Sequence, residues 1–149
     1  MTRPGEQTRV RAATMSDAPA IAALLEQLGY ATTIDAAGER VARLTASPTD
    51  DVLVAEHAGV GVAGLLVLHR ASVLHQAGDV AIITALVVDE QRRGHGIGQH
   101  LVRRAAALAR DHGCTRLQVT THLRRTDAHR FYERLGFEHT GRRYVLPLE

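Results

Sequence analysis

Gly94, Gly96 and Gly98 alternate along one short stretch, directly behind Arg92 and Arg93. The apolar run Val80 to Val88 precedes them, and a helical pattern carrying Leu101, Val102, Ala105 and Leu108 follows. Glycine lets a backbone approach a ligand closely and adopt positive φ. The first N–H groups of a helix have no internal partner. With the helix dipole they form a seat for phosphate, and guanidinium groups match phosphate geometry. A glycine turn with solvated arginines is the plain alternative. The strand before, the helix after and the paired arginines favour the anion site. In a dinucleotide fold the glycines follow the strand almost at once, whereas here Asp89 to Arg93 intervene. A P-loop needs Gly-Lys-Ser/Thr, and none follows.

Other groups with possible chemistry are fewer. Of nine histidines, His122 stands just past a strand pattern and titrates in a range useful to a base; His129 and His95 rank behind it. Cys114 follows Gly113 and reads as a small apolar residue. No charge partner stands near it in the sequence, which argues against a covalent cysteine route.

Those groups must be positioned by the elements around them. Residues 1–8 read as a flexible N-terminus and residues 9–149 as one domain. Arg9–Ala13 predicts a short strand. Ser16 or Asp17 predicts a helix N-cap, with Pro19 in the first turn. Ile21, Leu24, Leu25 and Leu28 follow at helical spacing and Gly29 ends them. A second helix is predicted from Asp35 to Thr45, with Val41 and Leu44 as its stripe, closed by Ser47–Pro48. Val52 to Glu56 and Val62 to His69 predict a hairpin around Ala58–Gly61. After a loop at His75–Gly78, Val80 to Val88 reads as a strand covered on both faces. Helix, strand (Arg116 to Thr121), helix (Asp127 to Leu135, ended by Gly136) and a final hairpin from Phe137 to Leu146, turning at Gly141, complete the chain. The order implies an α/β fold: one mixed sheet with helices on both faces.

Composition narrows the class. The chain has 149 residues, 45% of them hydrophobic but only 3% aromatic, so aliphatic side chains must fill the core. A lone cysteine forms no internal disulfide, which points to a reducing compartment, the cytoplasm. No segment reads as a signal peptide or a membrane span, so no membrane partner is expected. The net charge of +2 is dispersed, which argues against a nucleic-acid partner.

Two segments carry a resemblance to a known family. Val87-Val88-Asp89-Glu90-Gln91-Arg92-Arg93-Gly94-His95-Gly96-Ile97-Gly98 resembles the pyrophosphate-binding motif of the GNAT acyltransferase superfamily, Arg/Gln-x-x-Gly-x-Gly, which starts here at Arg93. Ala128-His129-Arg130-Phe131-Tyr132-Glu133-Arg134-Leu135-Gly136-Phe137 resembles the family's Ala-x-x-Phe-Tyr-x-x-x-Gly-Phe helix. The motifs stand in the family's order and separation, and the predicted elements fit its fold. The resemblance implies a single-domain acyl-CoA N-acyltransferase fold with a mixed, mostly antiparallel sheet.

It also implies roles. Backbone groups of Leu86 and Val88 would pair with the pantetheine arm of acetyl-CoA, bound as a co-substrate with no metal. Amides from Gly94 through His95, Gly96, Ile97 and Gly98 to Gln99 would hold the pyrophosphate, with Arg93 at its mouth. Val87 or Val88 N–H would polarise the thioester carbonyl. Tyr132 would protonate the leaving thiolate. Where the family often has Asn, this chain has Arg125, read as a phosphate contact. Where some relatives carry a glutamate base, this chain has Thr84, which can position a water but cannot act as a base at neutral pH. That leaves His122 or a water relay to deprotonate the acceptor, or an acceptor amine of low pKa that needs no dedicated base.

The implied activity is that of an N-acetyltransferase acting on a primary amine of a small molecule or peptide by direct attack in a ternary complex. The alternative is a non-catalytic acyl-CoA-binding module. Tyr30, Arg70 and His75 are expected to line the acceptor site, beside the first helices and the 29–35 and 70–78 segments. A homodimer is compatible with the resemblance.

Overall fold

The computed structural model describes residues 7–120, 126–141 and 143–148. They divide at Gln118/Val119 into two compact units. In the first, β1 (Thr8–Ala12), α1 (Ala18–Leu28), α2 (Ile34–Thr45), β2 (Asp50–His57), β3 (Gly61–Ser72), β4 (Asp79–Val88) and α3 (Ile97–Asp111) follow in order. β5 (Cys114–Val119) closes a five-stranded sheet of order β1-β2-β3-β4-β5. The first three pairings are antiparallel. β5 arrives only after the helix α3, a crossover that makes the sheet mixed.

Strand alternation sorts the helices onto two faces. Val52, Val54, Leu65 and Val87 join Ile21, Leu24, Ala37 and Val41 in one buried cluster, so α1 and α2 cover that face. Gly64, paired with Ala55, lies against Ile97 and Leu101 of α3 on the other. Leu65, Leu66, Leu68, Ile97 and Leu101 are among the largest fully buried side chains. The scarcity of aromatics is met by aliphatic layers, which pack closely between helix and sheet.

Local signals explain the boundaries. Gly29 ends α1 at φ 108°, a conformation open to glycine at no steric cost. Thr33 caps α2, its hydroxyl accepting from Ala36 N at 3.1 Å. Asp17 occupies the N-cap position of α1 but does not cap it. Its carboxylate instead takes two bonds from Arg11, both at 2.8 Å, and one from Thr14 N, also at 2.8 Å. Arg11 in turn donates to Glu56 at 2.7 Å, tying the start of the chain to β2.

The second unit contains α4 (Thr126–Arg134). Gly136, at φ 95°, follows it, and Phe137 N bonds back to Tyr132 O at 3.0 Å. The expected final hairpin is not formed: the described residues from 137 to 148 contain no strand. Tyr144, Val145 and Leu146 are exposed there, so this short apolar run does not join the core.

Candidate functional site

β4 departs from the continuous burial expected of it. Val80, Ala81, Ile83 and Val87 are buried, but Thr84 is exposed and Ala85 and Leu86 are half-buried. The pairing with β3 shows why. Val67 faces Ala85 and Leu68 faces Ile83, so Thr84 is an extra residue, a β-bulge. A bulge breaks the two-residue alternation and re-aims side chains. As a result the neighbours Thr84 and Ala85 both line one cleft. The Thr84 hydroxyl has only a long 3.4 Å contact to Val67 O, which leaves it available to a water or ligand.

That cleft lies between α1, α2 and the sheet and has a volume of about 320 Å³. Leu25, Leu28 and Val67 give it apolar walls; Tyr30, Thr32 and Arg40 add polar groups. Tyr30, one of the residues expected at an acceptor site, lines this cleft; Arg70, another, does not. Its guanidinium donates to Pro48 O at 2.6 Å and faces Asp51 at 3.9 Å, with little exposure. It fastens β3 to the segment before β2, and it is absent from the cleft lining. His75 lies on the exposed loop between β3 and β4, also away from that lining. Arg40 was missed. Its signal is helical spacing: it stands three residues after Ala37 and four before Leu44, flanking the buried stripe of α2.

Beyond Val88 the chain turns through Asp89 to Gly96. Asp89 N bonds Ala63 O at 2.8 Å, and its carboxylate accepts from Gln91 N at 3.2 Å. Gln27 of α1 holds the same corner: its carbonyl oxygen accepts from Glu90 N at 2.9 Å. Gly94 and Gly96 have φ of 86° and 78°, and an added Cβ at either would meet open space. Gly96 is the N-cap of α3 and no side chain caps the helix. The first helical bond is His100 N to Gly96 O at 3.1 Å. The amides of Ile97, Gly98 and Gln99 thus precede any helical partner. Gly98 differs from its neighbours, lying buried within the first turn of α3.

Charge gathers at this turn. Arg93 is exposed, while Arg92 Nε is buried without a hydrogen-bond partner. His95 packs its ring against His57, with centroids 5.5 Å apart. An open glycine turn, uncapped amides and an unmet guanidinium donor suit a diphosphate. The stretch from Thr84 to Val88 spans roughly 13 Å at ordinary strand rise, the order of a pantetheine arm's reach.

In the second unit, Tyr132 is half-buried on α4. Its ring lies edge-on to Phe131 and Phe137, at centroid distances of 5.3 and 5.4 Å. Those contacts fix the ring's plane. His122 and Arg125 lie outside the described residues. Burial, reinforced by the negative charge of Asp79, pushes the Cys114 thiol above its ordinary range, which makes it a poor nucleophile. Among the described residues no group of three or more His, Cys, Asp or Glu could hold a metal ion. No helix among them is long and apolar enough to cross a membrane.

Comparison with known proteins agrees with this geometry. The model of the Acetyltransferase (GNAT) family matches residues 26–137, which include both motifs. Glucosamine 6-phosphate N-acetyltransferase 1 of Oryza sativa is 33% identical over 89% of this chain and 82% of its own length. The aminoalkylphosphonate N-acetyltransferase of Salmonella typhimurium is 37% identical over 58% of this chain, and the match spans only 56% of that relative. Among solved structures, a putative acetyltransferase from Agrobacterium tumefaciens superposes with a TM-score of 0.84 at 28% identity, covering 94% of this chain and 99% of its own. With a family model matched over most of its length, and with the turn and helix of that family's fold in place, this chain belongs to the acetyltransferase (GNAT) family.

Proposed function

We propose that this protein transfers the acetyl group of acetyl-CoA to a primary amine of a small molecule or peptide, by direct attack within a ternary complex. The observation that carries the reading is the opening in β4. Its half-uncovered stretch, Thr84 to Leu86, runs from an apolar cleft toward the uncapped start of α3. One end suits an acceptor, the other a diphosphate. The lone cysteine supports work in a reducing compartment, the cytoplasm.

Each group has a task. The amides of Gly94 to Gln99 and the guanidinium of Arg93 hold the diphosphate. Backbone groups of Leu86 and Val88 align the pantetheine arm, and Val87 or Val88 N–H meets the negative charge that develops on the carbonyl oxygen. The acceptor must attack as a free amine, and a lysine-like amine is mostly protonated at neutral pH, its pKa being about 10.4. Thr84 positions a water through which that proton leaves. His122 is the candidate base. Attack forms the C–N bond, the attached nitrogen gives its extra proton to the same water, and collapse breaks the C–S bond. Tyr132, assigned from its place in the second motif, gives the departing thiolate its proton.

An acceptor screen with acetyl-CoA, read by thiol release, tests the activity. Amine-dependent release supports it. Tight coenzyme binding without release for any amine would favour the non-catalytic module instead.

A further inference from the structure

The cleft between α1, α2 and the sheet carries an unbalanced charge. Arg40 is its one charged lining residue among those described, and no carboxylate lines it. Arg40 is exposed, and no hydrogen bond or ion pair engages it among the described residues. The contrast with two other arginines of this unit is direct. Arg11 is held by Asp17 and Glu56, and Arg70 by Pro48 O beside Asp51. A guanidinium carries five donors and cannot be deprotonated in a protein. Beside apolar walls its charge is less screened than in bulk water, and it engages carboxylate or phosphate oxygens in pairs.

Charge complementarity selects the occupant. A diamine or polyamine would bring a second cation to a cleft that offers a cation and no counter-ion. An amine carrying an anion would find a partner for the anion at Arg40, apolar surface at Leu25 and Val67 for its connecting carbons, and Thr84 for its nitrogen. We infer that the acceptor is an amine bearing a carboxylate or phosphorus oxyanion, held by Arg40. This rests on the acetyl-transfer reading above.

The test uses four amines of similar length at saturating acetyl-CoA: 4-aminobutyrate, 3-aminopropylphosphonate, 4-aminobutyramide and 1,4-diaminobutane. At least one anionic amine is expected to exceed the carboxamide in kcat/KM about tenfold or more, the scale of one charge-assisted hydrogen bond. The carboxylate and phosphonate arms then tell which anion is preferred. Arg40→Gln should remove that advantage, lowering kcat/KM for the anionic amines about tenfold more than for the carboxamide, and Arg40→Lys should restore part of it. A carboxamide or diamine used as well as both anionic amines would overturn the inference, and so would an equal loss for all four in Arg40→Gln. If no amine is acetylated, the acetyl-transfer reading has failed. Calorimetry on the CoA-loaded protein then decides the inference alone: Arg40-dependent binding of an anionic amine supports it, and its absence overturns it.

Discussion

The Cβ that Gly64 lacks would stand 2.9 Å from Ile97 Cγ2, and equally close to Leu101 Cδ1. Gly64 sits on β3 opposite Val88, and Ile97 opens α3. The start of α3 can approach the sheet only because this strand position is bare. Ile97 and Leu101 are both fully buried, so neither can swing away. Gly64→Ala should cost about 1–3 kcal/mol, the usual scale of overpacking. Because the displaced residue leads the helix proposed to hold the diphosphate, the same change should raise the Kd for acetyl-CoA. Thermal unfolding and isothermal titration check the two effects separately.

The glycine turn has room for a side chain, but its backbone conformation disfavours one. A side chain at Gly96 meets no protein atom, yet the backbone there has φ of 78°. Gly96→Val should therefore strain the turn by about 1–3 kcal/mol and re-aim the amides behind it. The expected outcome is a rise of tenfold or more in KM for acetyl-CoA, with the KM for the amine little changed, on the scale of one lost charge-assisted bond. Steady-state kinetics with each substrate varied in turn would show it.

How much of this was legible beforehand depends on the range of each interaction. The helices follow from local spacing and stop signals such as Gly29 and Gly136, and these are correctly placed within a few residues. The glycine turn is legible for the same reason: strand, glycines, arginines and helix are contiguous. Long-range relations are not. Nothing adjacent to Gly64 reports that Ile97 will pack on it. The bulge at Thr84 is a matter of register between two strands. Arg70 looks like a free cation until Pro48 and Asp51 come within its reach. Asp17 looks like a helix cap until Arg11 takes its carboxylate. At the other end, the run Tyr144-Val145-Leu146 reads as part of a hairpin, but the described residues there contain no strand.

Tyr132 offers a cleaner test of chemistry than of structure. Its ring contacts with Phe131 and Phe137 are kept by phenylalanine. Tyr132→Phe should leave coenzyme affinity nearly unchanged while lowering kcat by about 10²-fold, the lower range for loss of a general acid. Single-turnover thiol release would register the drop. Turnover at the wild-type rate would remove Tyr132 from the mechanism.

Acid should act on the Arg11–Asp17 pair. Bonds from Arg11, then from Thr14 N, hold the Asp17 carboxyl below its ordinary range against the opposing effect of burial. A lowered folded-state pKa stabilises the protein above the unfolded value of about 3.9, and that contribution disappears as pH falls through the folded value. Asp17→Asn should therefore be less stable than wild type at pH 7, with the difference shrinking below about pH 4. Arg11→Met leaves a buried carboxylate unpaired; since Arg11 is partly exposed, a loss of about 2 kcal/mol is expected, under the 3–5 of a fully buried pair. Urea unfolding at several pH values checks both.

The diphosphate seat at the start of α3 is the central claim. Its most direct test compares the binding of acetyl-CoA with that of S-acetylpantetheine, which keeps the thioester arm and lacks the nucleotide diphosphate. Wild-type protein should bind acetyl-CoA at least about 100-fold more tightly, the yield of two or more charge-assisted bonds, and Gly96→Val should erase most of that margin. Equal affinity for the two ligands, or a margin that Gly96→Val leaves intact, would contradict the account.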